Sequence, residues 1–351
     1  MNKKTFYKKI LTLLCSALCP VVTYAQADIH FSQFYETSIL RNPALTGVFS
    51  EDYKFSAVYR NQWSSITNPF ETALVSAESK IKIGHGEQND FFSYGALVYY
   101  DKAGSIDSRI IGAYPAINYS KAFGDAHNSY LSAGFTGGII QHSFDPSKAT
   151  FNNQYQNNVF NASNPTGENL PNPKLTLYDV GAGINFNSSS GEYNSVTYML
   201  GVSGYHFTQP NNSYYKSPNI NLNMRFNVNM ALSGHFNESY SYQLQGNFAL
   251  QGSYYEAIAG GLVGWNRINE NDLDPEFAIY AGAFYRYGDA IIPTFKLRFK
   301  TLAFGLSYDV NVSGLNTASS YRGGYEISLI KTGHFFDKNS TNGKPLCPNF
   351  Y

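Results

Sequence analysis

The clearest pattern in the chain is a strict alternation of apolar and polar residues between positions 219 and 233. A period of two places every second side chain on the same face of an extended strand, whereas a helix would spread these residues around its circumference. The alternation therefore predicts a β-strand with one apolar and one polar face. The apolar positions are Ile220, Leu222, Met224, Phe226, Val228, Met230 and Leu232.

The same alternation recurs along the body of the chain, in segments longer than the five or six residues of an average strand. A strand that crosses a membrane needs about 9 to 11 residues. We therefore predict an all-β protein, a transmembrane antiparallel β-barrel of about fourteen strands, whose apolar face meets lipid and whose polar face lines the lumen. The expected strands are 52–61, 71–82, 91–102, 107–120, 128–143, 176–186, 194–208, 219–233, 239–251, 256–266, 276–286, 291–299, 302–312 and 322–331.

The spacing of these segments predicts which connections lie at each end of the barrel. If the first strand runs outward from the periplasm, the longest connection, residues 145–175, falls outside the cell. The connections at the opposite end are then short turns such as 187–193, and this is the arrangement of bacterial barrels. Pro115 lies inside the fourth expected strand and has no N–H for the ladder, so we expect a β-bulge there.

Composition narrows the class of protein further. Only 14% of the residues are charged, Lys+Arg 25 equals Asp+Glu 25, and the mean hydropathy is −0.29. The body of the chain has no basic block, which argues against a nucleic-acid partner. Its 29 Tyr and 26 Phe argue against disorder, and Tyr near strand ends fits the aromatic girdles of a membrane barrel.

The N-terminus has the layout of a secretory signal peptide. Four lysines precede an apolar run from Ile10 to Val22, and Ala25 stands just before a suitable cleavage point. The apolar run is too short for a transmembrane anchor. We expect removal of this peptide, residence of the mature protein in the outer membrane, and only Cys347 left, which excludes an internal disulfide. The expected divisions are 1–25 (signal peptide), 26–50 (periplasmic or plug segment), 51–332 (barrel) and 333–351 (polar tail).

The chain offers little chemistry for catalysis, and we expect neither an enzyme nor a bound cofactor or metal. Its seven histidines are scattered, and no glycine-rich phosphate loop with a lysine is present. His142 and Ser143 could suggest a hydrolase, but a strand end that enters a loop explains them better. The acidic stretch 270–276 could bind Ca²⁺, but a solvated turn is the preferred interpretation.

Charged side chains on the polar face carry more information. Arg60, Asp309 and Glu326 fall on the lumen side by the alternation. The last strand must pair with the first to close the sheet, so we expect Glu326 to meet a basic group across this seam, with Arg60 as the leading candidate. Such charges suit a plugged or selective lumen, and they suit routine charge pairing in a barrel equally well. Inward glycines, which allow curvature or close packing inside, are Gly134, Gly138, Gly183, Gly246 and Gly305.

Short motifs spread over the chain are jointly similar to one family, although each is weak alone. On these motifs the chain resembles the PorP/SprF family of Bacteroidota outer-membrane proteins. The motifs, in family order, are residues 26–35 (QADIHFSQFY), 42–47 (NPALTG), 60–63 (RNQW), 285–290 (YRYGDA), 307–313 (SYDVNVS), 323–328 (GGYEIS) and 347–350 (CPNF).

The resemblance implies an outer-membrane β-barrel of the type IX secretion system. Family members help to deliver or hold large surface proteins, such as gliding adhesins, which carry C-terminal sorting regions. Some members are linked to periplasmic components of the secretion and gliding machinery. The family has no catalytic residues to carry over, so its motif residues are interpreted as structural.

Two structural roles follow for the motif residues. The seam of the barrel is expected to be locked by inward polar residues, and the aromatic N-terminal motif is expected to fold under or into the barrel as a plug. The seam residues are Arg60, Asp309, Asn311 and Glu326, and the plug residues are His30, Phe31 and Phe34.

Two classes of function remain. The first is a non-enzymatic barrel that secretes, delivers or anchors a surface protein with a type IX sorting region. The second is a FadL-like barrel that transports a hydrophobic solute, because fourteen strands also suit that class. A solute carrier needs an open apolar pocket with an exit, so the inward Asn, Gln, Lys and Arg favour the anchor.

For an anchor, the contact with the surface protein is expected in the outer loops. Aromatic side chains there offer a large contact area at low entropy cost, and many Asn offer adaptable hydrogen bonds. The alternative is that the long Asn- and Pro-rich loop is simply mobile. The expected contact residues are Tyr155, Phe160, Tyr214, Tyr215 and Tyr321.

Overall fold

The computed structural model describes residues 28–64, 68–83, 90–157, 159–168, 172–191, 195–268, 275–314 and 319–335. The expected signal peptide and most of the expected tail lie outside the described residues. Fourteen long strands form one closed antiparallel barrel, and two short strands form a separate hairpin. The barrel strands are β1 (Tyr53–Gln62), β2 (Phe70–Lys82), β3 (Phe91–Ala103), β4 (Ser108–Ala122), β5 (Tyr130–Ser143), β8 (Lys174–Ser190), β9 (Val196–Tyr205), β10 (Arg225–His235), β11 (Tyr240–Gln251), β12 (Tyr254–Ile268), β13 (Pro275–Arg286), β14 (Ala290–Phe299), β15 (Leu302–Asn311) and β16 (Arg322–Gly333), and the hairpin is β6 (Tyr155–Gln156) and β7 (Val159–Phe160).

The barrel is closed by pairing of its first and last strands. The β1–β16 ladder runs without interruption from the pair Tyr53–Gly333 to the pair Gln62–Gly324, so no barrel strand has a free edge. The predicted fold class, an antiparallel barrel of fourteen strands, is confirmed.

The period of two has its expected structural meaning. In β10, Phe226 and Met230 are exposed on the outer surface, whereas Arg225, Asn227 and Asn229 are buried inside. The outer surface therefore carries apolar side chains that suit lipid, and the inner wall carries mostly polar ones. No helix in the described part of the chain is long and apolar enough to cross a membrane.

The alternation at 219–233 is not a single strand, contrary to the prediction. β10 begins at Arg225, and the residues before it belong to the loop 206–224. The reason is that both neighbouring strands end at this level, since Arg225 pairs with Tyr205 of β9 and with Gln251 of β11. The pattern of side chains continues beyond the point where ladder partners are available.

The expected β-bulge at Pro115 is also wrong. The β4–β5 register is the same on both sides of the proline, with Ala113 opposite Ile139 and Ala116 opposite Thr136. The Thr136 hydroxyl donates a 2.7 Å hydrogen bond to the carbonyl of Pro115. A side chain thus satisfies this acceptor in a stretch of ladder that lacks one N–H.

The two ends of the barrel differ in their connections. One end carries the loops 144–173, 206–224 and 312–321, and we call it the loop end. β1 begins and β16 ends at the opposite end, which we call the inner end and which has short connections such as 300–301. Short turns at one end and longer loops at the other are the predicted arrangement, in which the loop end is extracellular.

Residues 28–51, which we call the N-terminal segment, precede the barrel and contain three single-turn helices. These span Phe34–Glu36, Ser38–Arg41 and Pro43–Leu45. Asn42 caps the last turn by accepting a hydrogen bond from the N–H of Ala44, and Pro43 occupies the first position, where a missing N–H is tolerated. The segment therefore has its own local structure, although each turn is too short to be stable without packing.

The depth of residues in the membrane gives a first prediction. Met230 lies at the centre of β10 and faces outward, so Met230→Arg should destabilise the barrel by about 2–4 kcal/mol. Phe226 faces outward near the loop end of the same strand, so Phe226→Arg should cost only about 0–1 kcal/mol. Urea titration of the barrel in lipid vesicles measures both free energies of unfolding, and equal losses would contradict this depth assignment.

Candidate functional site

The N-terminal segment passes through the lumen from one end to the other. At the loop end, Asp28 lies 3.7 Å from Arg225, the first residue of β10. At the inner end, the Glu51 carboxylate accepts a 2.8 Å hydrogen bond from Thr332, near the last residue of β16. Between these points the segment contacts every one of the fourteen barrel strands. The amino end of the segment therefore lies at the loop end.

Four groups, which we call the loop-end clasp, hold the start of the segment: the half-buried Asp28 and the buried Tyr114, Asp179 and His206. His206 follows β9 directly, and its Nε2 is hydrogen-bonded to the Asp28 carboxylate. Its Nδ1 lies 2.8 Å from the carboxylate of Asp179, which also accepts a 2.8 Å hydrogen bond from the Tyr114 hydroxyl. An imidazole between two carboxylates satisfies both when each ring nitrogen carries a proton, so the clasp favours the charged histidine.

The pKa values of the clasp follow from this arrangement. Burial alone would lower the pKa of His206, but the charges and hydrogen bonds of Asp28 and Asp179 outweigh it and raise the pKa to about 9. Burial would likewise raise the pKa of Asp28, but His206 and then Arg225 lower it to about 2. Between these two values the clasp is an ion pair.

A second cluster joins the segment to the seam of the barrel. Glu326 on β16 is 1% exposed, and its two carboxylate oxygens accept 2.7 Å hydrogen bonds from the backbone N–H groups of Ser32 and Gln33. The expected inward orientation of Glu326 is present, and Arg60 is opposite it in the ladder. The expected ion pair between Glu326 and Arg60 is absent, because the backbone N–H groups of Ser32 and Gln33 occupy the Glu326 carboxylate.

Asp309 is the ion partner of Arg60 instead. Its Oδ2 lies 2.9 Å from the Arg60 guanidinium and 3.0 Å from the Arg286 guanidinium. Its Oδ1 accepts a 2.6 Å hydrogen bond from Ser32, and Arg60 also donates to the carbonyl of His30 at 2.6 Å. One buried carboxylate thus links three wall strands and the N-terminal segment.

The middle of the segment is held by Arg41 and Asn42. The Arg41 guanidinium donates to the Gln245 side chain at 3.1 Å and to the carbonyl of Gly246 at 2.8 Å. The Asn42 amide donates to the carbonyl of Ile184 at 3.1 Å and to the Asn229 side chain at 2.9 Å. Polar side chains of the inner wall are therefore hydrogen-bonded to the N-terminal segment at this depth.

Further ion pairs continue toward the inner end. Lys296 lies 2.7 Å from Glu36, and both side chains are buried. Arg298 lies 3.4 Å from Glu51. These wall bases meet acids of the segment at two different depths.

Apolar side chains of the segment complete four buried clusters with the inner wall. Phe31 and Ile39 pack in a cluster with wall residues such as Leu74, and Phe34 and Tyr35 pack around Phe284. The two smaller clusters contain Val48 and Leu45 of the segment. Apolar contacts between the segment and the wall are therefore present at several depths of the lumen.

Two of the inward glycines lie where the segment approaches the wall most closely. A Cβ at Gly134 would lie 2.3 Å from the backbone of Pro43, and a Cβ at Gly183 would lie 2.1 Å from the Asn42 side chain. Larger residues at either position would displace the segment.

The structure places the remaining sequence-predicted residues as follows. Phe31 and Phe34 are buried in the lumen, and His30 lies 3.9 Å from Glu256 of β12. Asn311 is buried at the end of β15, but it caps the following loop by accepting hydrogen bonds from Ser313 and does not reach across the seam.

The predicted loop residues are only partly brought together. Tyr155 and Phe160 face each other across the small β6–β7 hairpin. Tyr214 packs edge-to-face on Phe144 at 5.0 Å, which joins the two longest loops. Tyr215 and Tyr321 lie in different loops of the same end and are 57% and 59% exposed.

Sequence reasoning missed several of these residues. Arg286 lies inside a quoted motif and on the polar face of β13, so a signal for it was present. His206 stands just after a strand, where the alternation makes no statement. Its role depends on Asp28, which is far away in the sequence.

A small cleft opens beside the start of the segment. No group of three or more His, Cys, Asp or Glu side chains that could hold a metal ion is present in the part of the chain that the structure describes. The cleft is lined by Asp28, His30, Arg225, Ala249, Gln251, Tyr254 and Glu256.

Comparison with protein-family models matches residues 23–330 to the family described as type IX secretion system membrane protein PorP/SprF. The chain belongs to this family. The resemblance inferred from the motifs is confirmed, and with the barrel fold it places this PorP/SprF protein in the outer membrane. No match is found among the curated proteins.

Solved structures similar to this PorP/SprF chain are outer-membrane barrels. The toluene transporter TbuX of Ralstonia pickettii is 9% identical with a TM-score of 0.49, over 85% of this chain and 94% of that one. The monoaromatic hydrocarbon channel CymD is 9% identical with a TM-score of 0.48, over 87% and 94%. A deletion mutant of the TodX channel is 10% identical with a TM-score of 0.48, over 84% and 92%. Likeness at this level concerns the barrel fold alone.

The shared carboxylate of the seam gives a second prediction. Asp309→Asn removes the negative charge between two buried guanidinium groups and should cost about 3–5 kcal/mol of stability. Asp289→Asn is the matched control, because Asp289 pairs with the same Arg286 but its side chain is 45% exposed, and it should cost about 0–1 kcal/mol. Urea titration measures both, and a cost for Asp309→Asn as small as that of the control would show that the cluster is not desolvated.

The loop-end clasp gives a third prediction. Because its pKa is raised from 6.5 to about 9 on folding, protonated His206 stabilises the fold fully below about pH 6.5, and this contribution is lost as the pH rises through about 9. The melting temperature should fall over this range, and His206→Gln should abolish that part of the fall. His235→Gln, at an exposed histidine of the inner end, is the control and should leave the fall unchanged. The same pH dependence in all three proteins would exclude the clasp as its source.

Proposed function

We propose that this PorP/SprF barrel is a non-enzymatic anchor or delivery partner of type IX secretion. It holds a large secreted surface protein at the outer membrane by binding the C-terminal sorting region of that protein with its extracellular loops. The link to type IX secretion is supported by membership of the family. The assignment of binding to the loops is supported by the filled lumen.

The observation that carries the proposal is the filled lumen. The N-terminal segment contacts all fourteen strands and forms apolar clusters with the inner wall at several depths. A barrel whose interior is packed in this way offers its surfaces, rather than a passage, to other molecules. The surface protein would then bind at the loop end or at the inner end of the barrel.

The loop end has the better surface for a protein partner. Tyr155, Phe160, Tyr215 and Tyr321 are all well exposed there, and aromatic side chains are the usual anchors of protein interfaces. The contact between Phe144 and Tyr214 ties the two longest loops together, which reduces the entropy lost on binding.

The FadL-like alternative requires an open apolar pocket. The cleft at the loop end is bordered by the ionisable side chains of Asp28, His30, Arg225 and Glu256, which suit a polar partner better than a hydrophobic solute. This lining favours the anchor over the transporter.

The fourth prediction tests the loop surface. Combined replacement of Tyr155, Phe160, Tyr215 and Tyr321 by Ala should leave the amount of folded barrel unchanged but release the surface protein, because truncation of one aromatic hot spot costs about 2 kcal/mol or more. The measurement is affinity isolation of the barrel from membranes, with identification of co-purifying proteins that end in a type IX sorting region.

The control for this experiment is Phe236→Ala. Phe236 is a similarly exposed aromatic residue, but it lies at the inner end, so its replacement should not affect retention of the partner. If the four-residue variant keeps its surface protein at the native level, the loops are not the anchor. Loss of the partner in the control alone would assign the binding to the inner end.

A further inference from the structure

We propose that the N-terminal segment is a built-in template for closure of the barrel, so that β1 and β16 pair stably only when residues 28–51 already occupy the space between them. The proposal concerns assembly and does not depend on which protein the loops bind. It follows from three features of the lumen.

The first feature is that the segment bridges the two sides of the seam. On the β1 side, Lys54 donates a 2.6 Å hydrogen bond to the Ser38 hydroxyl, and Arg60 donates to the carbonyl of His30. On the β16 side, Glu326 accepts the backbone N–H groups of Ser32 and Gln33. A segment bound to both strands at once raises their effective concentration for each other.

The second feature is that the inner wall is not suited to water. Val58, Leu74 and Ile140 are almost completely buried in one cluster, and Phe31 and Ile39 of the segment cover them. Phe284 on the opposite side of the lumen stacks on Tyr35 at 5.2 Å. An empty closed barrel would expose these surfaces to water, so the hydrophobic effect favours docking of the segment at or before closure.

The third feature is that late entry is sterically unfavourable. The amino end of the segment lies at the loop end, whereas its other end joins β1 at the inner end. Insertion after closure would move Glu36 and Arg41 through a lumen in which the wall touches the backbone of the segment, as it does at Gly134. Curling of an open sheet around the segment avoids this passage.

Closure can be measured with pairs of cysteines in the full chain carrying Cys347→Ser. Ala57 and Leu329 are opposite each other in the β1–β16 ladder on the outer surface, so the double variant Ala57→Cys, Leu329→Cys reports the seam. Leu232 and Leu244 are opposite each other in the β10–β11 hairpin, and the corresponding double variant reports pairing away from the seam. With the native segment, both disulfides are expected after oxidation in the outer membrane.

The decisive change is Glu36→Lys, which places two ammonium groups where Glu36 and Lys296 are 2.7 Å apart. We expect loss of most of the seam disulfide while the hairpin disulfide still forms. The charge swap Glu36→Lys with Lys296→Glu should recover the seam disulfide. The folded barrel, detected by its altered electrophoretic mobility before heating, should follow the seam disulfide in each case.

A second variant tests the same idea through the apolar contacts. Phe34→Asp introduces a charge beside Phe284 and should also leave the seam open, whereas Phe34→Leu keeps an apolar side chain and should allow closure. The control Lys121→Glu changes an exposed ion pair of the wall that does not touch the segment, and it should close normally.

Two results would overturn the proposal. Formation of the seam disulfide at the native level in both Glu36→Lys and Phe34→Asp would show that closure does not need a docked segment. Equal loss of the seam and hairpin disulfides would show that the segment supports strand pairing in general and has no special role at the seam.

Discussion

The structure depends on the need to cover the inner wall of a closed sheet. Closure satisfies the backbone of every barrel strand, but it turns charged and apolar side chains toward a common interior. Water in the lumen could solvate the charged side chains but would leave the apolar side chains exposed to solvent. The N-terminal segment pairs with the charged side chains and also buries the apolar ones. It supplies N–H groups to Glu326 and aromatic rings to Phe284, and it therefore acts as the second layer that a single sheet otherwise lacks.

A filled interior changes what the barrel can offer to other molecules. Polar groups of the segment are hydrogen-bonded or ion-paired with the wall, and ionisable groups of the wall are paired with the segment. Surfaces that can bind another molecule therefore lie at the two ends of the barrel. Tyr155, Phe160, Tyr215 and Tyr321 are exposed in three loops at the loop end, where His206 also holds the start of the segment. A rigid interior beneath adaptable loops is a suitable base for holding a protein partner.

Most of the fold could be predicted from the sequence, because a period of two reports the environment of each side chain directly. The number of strands, their faces and the loop end all follow from it. The start of β10 at Arg225 could not be predicted, because the end of a ladder is set by neighbouring strands and not by the strand itself. The partner of Glu326 was missed for a similar reason. Alternation assigns a residue to the lumen but contains no information about what fills the lumen, and Ser32 and Gln33 are remote in the chain.

The distribution of charge between the segment and the wall explains how one register is selected. The acids of the segment are Asp28, Glu36 and Glu51, and their basic partners on the wall are Arg225, Lys296 and Arg298. The first pair lies at the loop end, and the other two lie two residues apart on β14 toward the inner end, so no shift of the segment along the lumen preserves all three. An unpaired buried ion costs several kcal/mol, which exceeds the gain from any one misplaced apolar contact. Apolar clusters thus favour docking of the segment against the inner wall, and the ion pairs select the register in which it docks.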